Sequence, residues 1–292
     1  MATEVVRQAG RAPAKVTVPP RSLRGDLRAV KVVWQRELIR FARDRMRIVV
    51  ALLQPLLFLF VLGTGLSSMV PAGAGGVGLR TFLFPGVLSM AVMFTALFSA
   101  ASVVWDREFG FLREMLVAPV RRGAIVLGKC LGGASVATFQ GVLMLVFAGA
   151  VGVPYAPVLL LTLVVEMAIL AFALTALGVM VAARIRSIQS FMALNQMIVM
   201  PMFFLAGALY PVTNLPAWLA VLNRLDPLTY AVDPMRRLVF NHLDISSTAR
   251  ETLAPGVTWW GWHVPVLLEV FIVLALGLLM LAIAIWEFRG DE

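Results

Sequence analysis

Six long apolar stretches constrain the fold of this chain more than any other sequence feature. A helix that crosses a bilayer needs roughly 20 predominantly apolar residues. Of the 292 residues, 60% are hydrophobic and only 14% are charged, whereas a soluble domain carries about 25% charged residues. This composition excludes a soluble globular enzyme and predicts an all-α, polytopic membrane protein with six transmembrane helices. The six stretches are 46–66, 82–104, 124–151, 158–183, 191–209 and 264–286.

The distribution of lysine and arginine orients these stretches. The chain holds 25 Lys and Arg residues against 16 Asp and Glu, which gives a formal net charge of +9. When the connections are assigned alternately to two sides, 20 of the 25 basic residues fall on one side and 5 on the other. Because cytoplasmic segments are enriched in Lys and Arg, the pattern predicts that both termini are cytoplasmic.

The N-terminal segment carries most of the positive charge. Residues 1–47 contain 12 basic and 4 acidic side chains. Apolar residues recur there at steps of three and four, which predicts an amphipathic helix with its apolar face in the lipid headgroup layer. Its basic face leads directly into a membrane span, which argues against nucleic-acid binding. We therefore divide the chain into a cytoplasmic tail at 1–45 and a six-span transmembrane domain at 46–292. The apolar stripe comprises Leu23, Leu27, Val30, Trp34, Leu38 and Phe41.

Motifs for nucleotide binding and catalysis are incomplete. Residues 123–130 match the phosphate-binding loop pattern except at Cys130, where a Ser or Thr hydroxyl is needed to bind magnesium. His242 and His263 show no metal-ligand spacing. The sequence therefore predicts no catalytic site, no metal site and no cofactor bound by this chain.

Two acidic residues lie inside the apolar stretches. Glu166 is in the fourth stretch, and Glu269 is in the sixth, five residues past its start, so Glu269 is expected to reach water. Charged side chains within a bilayer are costly and are therefore functional candidates. An ion-coupled secondary carrier that uses both carboxylates is accordingly one interpretation of the sequence.

The connection at 105–123 is the most informative soluble segment. Phe109, Leu112 and Leu116 share one helical face, and Pro119 should end the helix shortly before it. This spacing predicts a short amphipathic helix at about 106–118, which is either a docking surface for a partner or a segment that lies on lipid.

The segment after the fifth stretch is too apolar for a solvated loop and too rich in proline to span. Pro211, Pro216 and Pro227 interrupt it. Irregular backbone at membrane depth must be buried in protein or line water. The pattern therefore favours short half-inserted helices, a re-entrant region at about 210–240 near the outer surface.

Each of these two segments contains a signature. The first reads Arg-Glu-Phe-Gly-Phe-Leu-Arg-Glu-Met-Leu-Val-Ala-Pro-Val-Arg at 107–121. The second reads Ala-Gly-Ala-Leu-Tyr-Pro at 206–211 and Asp-Pro-Leu-Thr-Tyr at 226–230. Together they resemble the coupling-helix loop and the re-entrant region of ABC type-2 exporter permeases, within the daunorubicin-resistance and nodulation-factor branch. Relatives often have Asn where this chain has Asp226.

The resemblance implies a division of labour between subunits. Such a permease has no ATPase of its own, and two copies, as a homodimer or a heterodimer, pair with two ATP-binding cassette subunits that hold ATP and Mg²⁺. The implied activity is export of a drug, glycolipid or similar amphipathic compound across a bacterial cytoplasmic membrane, as in multidrug efflux and antibiotic resistance. ATP binding shifts the equilibrium between inward-open and closed or outward states.

The resemblance also implies roles for individual residues. Those expected to couple the chain to the ATPase are Arg107, Glu108, Phe109, Gly110, Leu112, Glu114, Leu116 and Pro119. Those expected along the substrate path are Glu166, Glu269, Tyr210, Trp218 and Tyr230. The alternatives are the ion-coupled carrier and a non-transport membrane protein such as an enzyme or a scaffold, although the lack of clustered histidines, carboxylates or a nucleophile argues against an enzyme.

Overall fold

The computed structural model describes residues 22–67, 77–110, 120–212, 215–259 and 261–288. Within these ranges six helices are long and apolar enough to cross a membrane, which confirms the prediction of an all-α, six-span fold. The six are α2 (Arg45–Gly65), α3 (Leu79–Glu108), α4 (Arg122–Leu145), α5 (Pro157–Arg184), α6 (Ile188–Leu205) and α10 (Val266–Glu287). The shorter elements are α1 (Leu23–Arg43), α7 (Ala217–Leu225), α8 (Thr229–Asn241), α9 (Ser247–Leu253) and an antiparallel ribbon of β1 (Thr258–Trp259) and β2 (Trp262–His263).

Contacts between helix ends show that the spans alternate in direction. The ends of α5 and α10 lie together, because Arg184 Nη2 is 2.7 Å from Glu287 Oε1. The end of α3 and the beginning of α4 also lie there, and we call this side of the bundle the basic end. At the opposite end, the Thr81 hydroxyl near the start of α3 donates to the carbonyl of Val151, which follows α4.

α3 occupies the centre of the bundle. Of its most apolar stretch, 89% is buried inside the protein, compared with 17% for α2 and 22% for α6 and α10. Small residues let its neighbours approach closely. A Cβ on Gly86 of α3 would lie 2.1 Å from the carbonyl oxygen of Ala208, and a Cβ on Gly178 of α5 would lie 2.8 Å from the Cβ of Ala100. The three peripheral spans therefore present apolar faces to lipid or to another protein.

α1 packs on the first half of α4. Glycine allows the close approach, since a Cβ on Gly132 would lie 2.7 Å from the Cβ of Glu37. Glu37 and Val33 are buried against the bundle, whereas Leu23 and Leu27 are 71% and 70% exposed. The apolar stripe expected from the sequence is therefore divided. Its first two residues face outward, and an acidic residue outside the stripe faces the bundle.

α8 is embedded between α3, α5 and α10, and residues 229–236 are all buried. Arg236 lies deep in this region, where its Nη2 donates to the carbonyls of Gly207 at 2.6 Å and Ala208 at 3.2 Å. Its guanidinium carbon is 4.6 Å from the centre of the Phe82 ring. Burial lowers the pKa of Arg236 to about 10. The arginine thus fastens the chain that follows α6 to the central helix.

Candidate functional site

Three consecutive charged residues end α3, and each contacts a different part of the bundle. Asp106 is fully buried, Arg107 is half-buried and Glu108 is exposed. They directly precede the connection 109–120, for which the sequence leaves open a docking surface or a segment that lies on lipid. These three residues therefore connect the end of the central helix to its neighbours.

Asp106 lies in a buried ionic cluster, which we define as Glu37, Asp106, Lys129, Arg36 and Arg40. The Lys129 ammonium donates to Asp106 Oδ2, and it donates to Glu37 Oε1 at 2.7 Å. Arg36 Nη2 and Arg40 Nη2 lie 3.0 Å and 3.3 Å from Asp106 Oδ1. Buried charges are tolerated when they are paired and hydrogen-bonded. The cluster therefore joins α1, α3 and α4 at one point of the basic end.

Arg107 and Glu108 join α3 to the turn between α5 and α6. Arg107 Nη1 donates to the carbonyls of Ala183 at 2.7 Å and Ile185 at 3.1 Å, where the last carbonyls of α5 lack partners within the helix. Glu108 Oε2 accepts from the backbone N–H of Ile188 at 3.2 Å. A carboxylate at this position also complements the positive N-terminal dipole of α6. Both side chains thus contact helix ends of their own chain.

The helix expected at about 106–118 does not begin as a separate element. Residues 106–108 are the last turn of α3, and Phe109 follows as an exposed capping residue. Gly110 has a φ of +81°, a backbone conformation that glycine adopts without steric cost and that breaks the helix. Four of the residues implied to couple to the ATPase lie outside the described residues: Leu112, Glu114, Leu116 and Pro119.

The far end of the same connection is also held by α1. Asp26 Oδ1 accepts from the backbone N–H of Arg121 at 2.9 Å, and its Oδ2 lies 3.4 Å from Arg121 Nε. α1 therefore contacts the chain on both sides of residues 109–120, through Asp106 before them and Arg121 after them. Both ends of the connection rest on one helix.

The two acids inside spans lie at the opposite end and have different partners. Arg237 of α8 donates to Glu269 Oε1 at 3.0 Å and lies 2.5 Å from Asp233 Oδ2. Glu269 has no exposed surface, so the expectation that it reaches water is wrong. Glu166 is 9% exposed, and its Oε2 has no hydrogen-bond partner among the described residues. The cavity between Glu166 and Tyr230 has a volume of about 10 Å³, close to the minimum that one water molecule needs.

The other substrate-path candidates have different surroundings. Trp218 on α7 is 65% exposed. The Tyr210 hydroxyl donates to a main-chain carbonyl of α6 at 2.8 Å. The Tyr230 hydroxyl donates to the carbonyl of Arg224 at 2.7 Å and accepts from Trp259 Nε1 at 3.0 Å. Within the described ranges no three His, Cys, Asp or Glu side chains are grouped to hold a metal ion.

Asp226 is buried in the turn between α7 and α8. Its Oδ1 accepts from the backbone N–H of Leu228 at 3.0 Å. Its Oδ2 has no hydrogen-bond partner in the part of the chain that the structure describes. Burial raises the pKa of Asp226 to about 7, because an ionised carboxylate is poorly solvated there. The side chain is therefore mostly protonated below neutral pH.

Six spans, one of which is buried at the centre of the bundle, and a charged junction at the basic end define a polytopic membrane protein. The model of the ABC-2 type transporter family matches residues 28–240, from within α1 to the last turn of α8, and this range includes the whole ionic cluster. The chain belongs to this family, and the resemblance noted in its sequence is confirmed. It is a transport permease subunit of an ABC transporter, a class that associates with an ATP-binding subunit.

Individual relatives agree with the family. The chain is 32% identical over 213 residues to nodulation protein J of Rhizobium leguminosarum bv. trifolii, which covers 72% of this chain and 80% of the relative. It is 30% identical to nodulation protein J of Rhizobium meliloti (strain 1021), over 71% and 79% of the two chains. It is 28% identical to the putative transport permease ycf38 of Cyanophora paradoxa, over 71% of this chain and 72% of the relative.

The ionic cluster is the part of the site that sequence reasoning missed. Lys129 interrupts the third apolar stretch, and Glu37 lies between Trp34 and Phe41 of the N-terminal stripe. A charge among apolar residues signals that an opposite charge lies nearby. That signal was available, but it does not identify which acid meets which base.

Proposed function

We propose that this chain is the membrane subunit of an ATP-driven exporter that moves a hydrophobic or amphipathic compound out across a bacterial cytoplasmic membrane. Two copies of the chain, or this chain and a second permease, pair with two ATP-binding cassette subunits. Those subunits hold ATP and Mg²⁺ and hydrolyse the nucleotide. Drugs and glycolipids are the cargo classes that the branch of the family suggests, and antibiotic resistance is the physiological role that follows for a drug.

The observation that carries this proposal is the anchoring of residues 109–120. The chain before them is tied to α1 and α4 through Asp106 and to α5 and α6 through Arg107 and Glu108. The chain after them is tied to α1 through Arg121. A partner that moves this connection therefore acts on five helices at once. Such an arrangement suits a transporter whose energy comes from outside the membrane domain.

The proposed orientation places the basic end in the cytoplasm. The ionic cluster, both ends of the connection 109–120 and the N-terminal helix are all at this end, with the excess of Lys and Arg that marks cytoplasmic segments. An ATP-binding subunit is cytoplasmic, so it meets the connection only in this orientation. The embedded helix α8, which falls within the expected re-entrant region at about 210–240, then lies near the outer surface.

The direct test is to co-purify the chain with the ATP-binding cassette protein encoded beside its gene. The complex should hydrolyse ATP in a vanadate-sensitive manner, and inverted membrane vesicles that contain it should accumulate amphipathic compounds when ATP is supplied. Failure of the two proteins to associate, together with no stimulation of hydrolysis, would overturn the proposal.

The docking role of the connection 109–120 is tested within the same complex. Leu116→Asp and Glu114→Arg should uncouple ATP hydrolysis from transport while the protein still inserts into the membrane. A matched control is Leu225→Asp, which places the same charge on an exposed leucine of α7 at the opposite end. Normal transport by both connection variants would contradict a docking role.

The ion-coupled carrier remains a second candidate because Glu166 has an oxygen without a partner among the described residues. Glu269 is paired with an arginine, which weakens the hypothesis that the carrier uses both carboxylates. The energy source separates the candidates. Transport that collapses with an uncoupler while ATP is maintained would favour the carrier, and transport that persists supports the exporter.

A further inference from the structure

At the end of the bundle opposite the basic end, two carboxyl groups from different helices contact one nitrogen atom. Arg237 Nη2 lies 2.5 Å from Asp233 Oδ2 of α8 and 3.0 Å from Glu269 Oε1 of α10. We call Asp233 and Glu269 the carboxyl pair. Asp233 is 4% exposed, and Glu269 has no exposed surface. If both were ionised, one guanidinium charge would have to balance two buried negative charges, which is costly.

The two members of the carboxyl pair are also within hydrogen-bonding distance of each other. An ionised carboxylate only accepts hydrogen bonds, whereas a protonated carboxyl group donates one. A hydrogen bond between Asp233 and Glu269 therefore requires a proton on one of them. Neighbouring carboxyl groups share one proton in this way because the two like charges repel each other.

The remaining hydrogen bonds indicate which member of the pair holds the proton. Asp233 Oδ2 accepts from the backbone N–H of Val257 at 3.1 Å, in addition to its contact with Arg237. Glu269 Oε2, in contrast, is buried, and no N–H or hydroxyl group of the described residues donates to it. Donors stabilise the ionised form of a carboxyl group. The proton therefore lies on Glu269, and Asp233 is the ionised member.

The charged groups nearest to the carboxyl pair also require one proton. α8 packs against α3, α5 and α10, and α10 packs in addition against α4 and α5. Glu166 of α5 acts electrostatically on Glu269, and Arg236 of α8 acts on Asp233. With Arg237, two guanidinium groups thus face three carboxyl groups. One proton neutralises the excess negative charge.

The charged residues of α3 and α4 are engaged elsewhere. Arg80 of α3 donates to the Thr64 hydroxyl of α2 at 2.7 Å, and the other charged residues of these two helices are at the basic end. Among the described residues, the titratable or charged groups around the carboxyl pair are Glu166, Tyr230, Arg236 and Arg237.

A larger ligand does not fit at this position. Glu269 has no exposed surface, so no space the size of a water molecule adjoins its carboxyl group. A metal ion would need several oxygen ligands around it. A proton needs neither space nor further ligands, because a hydrogen bond between the two carboxyl groups holds it.

We propose that Asp233 and Glu269 bind one proton between them and that this proton locks α8 to α10. With the proton, the carboxyl pair forms a hydrogen bond that joins the two helices. Without it, two carboxylates share one guanidinium group and repel each other, so α8 loosens from α10. The site depends on packing within one chain and is independent of the proposed exporter function.

Infrared spectroscopy of the purified full chain detects the proton. A protonated carboxyl group has a carbonyl stretching band that a carboxylate lacks and that shifts in D₂O. The chain is measured in dodecyl maltoside, a detergent without carbonyl groups, at about pH 8, where an ordinary carboxyl group is ionised. Glu269→Gln should lose one such band relative to the unmodified chain. Glu251→Gln, at an exposed position, is the matched control and should lose none.

Asp233→Asn separates a shared proton from a carboxyl group that is protonated by burial alone. Without the charge of Asp233, Glu269 has the guanidinium group of Arg237 to itself and ionises, so the same band should disappear. Persistence of the band in Asp233→Asn would overturn the proposal, and so would the absence of any band lost in Glu269→Gln. Each variant is first compared with the unmodified chain by size-exclusion elution, and each alone can decide against a shared proton.

Hydrogen–deuterium exchange of Thr229–Asn241, corrected for its intrinsic pH dependence, tests the lock. Asp226 has a pKa of about 7, so measurements begin at about pH 8, where it is already largely ionised. Raising the pH to about 10 should accelerate exchange several-fold in the unmodified chain and in Glu251→Gln, because the proton leaves and α8 opens locally. Glu269→Gln keeps a neutral donor and should show no acceleration. Equal behaviour of Glu269→Gln and the unmodified chain would overturn the lock.

Discussion

Lys129 Nζ lies 2.7 Å from Glu37 Oε1, so a helix that precedes the membrane domain supplies a counter-charge for a buried lysine 92 positions later in the chain. Asp106 is the second carboxylate on the same ammonium. Lys129 is 4% exposed, and Asp106 has no exposed surface. The stability of the basic end therefore depends on three residues from three separate helices.

Lys129→Met should be strongly destabilising, because it leaves two buried carboxylates without their shared cation. Removal of one partner from a buried ion pair costs about 3–5 kcal/mol. The loss is measured as a lower midpoint of thermal unfolding in detergent. Lys31→Met, at an exposed position of α1, is the control and should leave the midpoint nearly unchanged.

A double variant separates this ionic effect from a packing effect. Glu37→Leu combined with Lys129→Met removes one carboxylate with the ammonium, while Asp106 keeps Arg36 and Arg40 as partners. Substitutions of neighbouring residues in one ionic network change the free energy of unfolding non-additively. The double variant should therefore be more stable than Lys129→Met alone. Additive losses would show that the two residues act independently.

Gly128→Ala should loosen α1 from the bundle. A Cβ at this position would lie 2.8 Å from the Cβ of Val33 and 3.0 Å from the carbonyl oxygen of Val30, which is closer than packed atoms normally approach. Hydrogen–deuterium exchange of Leu23–Arg43 should become faster. Gly65→Ala is the matched control, because its new Cβ meets nothing within 4 Å. Equal exchange in both variants would mean that α1 is not held by this contact.

Asp226 should make the stability of the protein depend on pH. Its pKa rises from 3.8 in an exposed carboxyl to about 7 in the fold, so between these values the folded chain binds a proton that the unfolded chain has lost. Stability should therefore fall as pH increases from about 4 to 7 and then level off. Asp226→Asn should make this slope shallower in thermal unfolding, whereas Asp244→Asn, at an exposed position, should leave it unchanged.

Arg237→Met should destabilise the opposite end of the bundle. Arg237 is the shared cation of Asp233 and Glu269, and both carboxylates are at least 95% buried. Because the arginine side chain is 20% exposed, the loss should be at the lower end of the range for buried pairs, about 3 kcal/mol. This loss of stability is measured by thermal unfolding, with Arg224→Met as the control. A loss no larger than that of the control would contradict the role of Arg237 as a counter-ion.

The six spans were predictable because the bilayer requirement acts on local sequence. The expected stretch 158–183 and the observed helix Pro157–Arg184 differ by one residue at each end. The third stretch was expected to reach residue 151, but α4 ends at Leu145 and a short 3-10 turn, Gly149–Val151, follows. Apolarity alone does not mark where a helix ends within an apolar stretch.

The charged contacts were not predictable in the same way, because they join residues far apart in the chain. Glu269 was expected near water, since it is close to the start of its span. Arg237 of α8 instead covers it, and only the packing of α8 against α10 determines that contact. Likewise, the break at Gly110 depends on a positive φ that the amphipathic spacing does not report.

The burial of α3 has a consequence for the route that a solute takes. With this helix on the axis of the bundle, the described part of one chain is solid where a channel-forming protein would be hollow. We therefore expect a molecule carried by this chain to travel along its flanks. The residues that decide which molecules pass should accordingly be sought on the outward surfaces of α2 and α6, where side chains can change without disturbing the core.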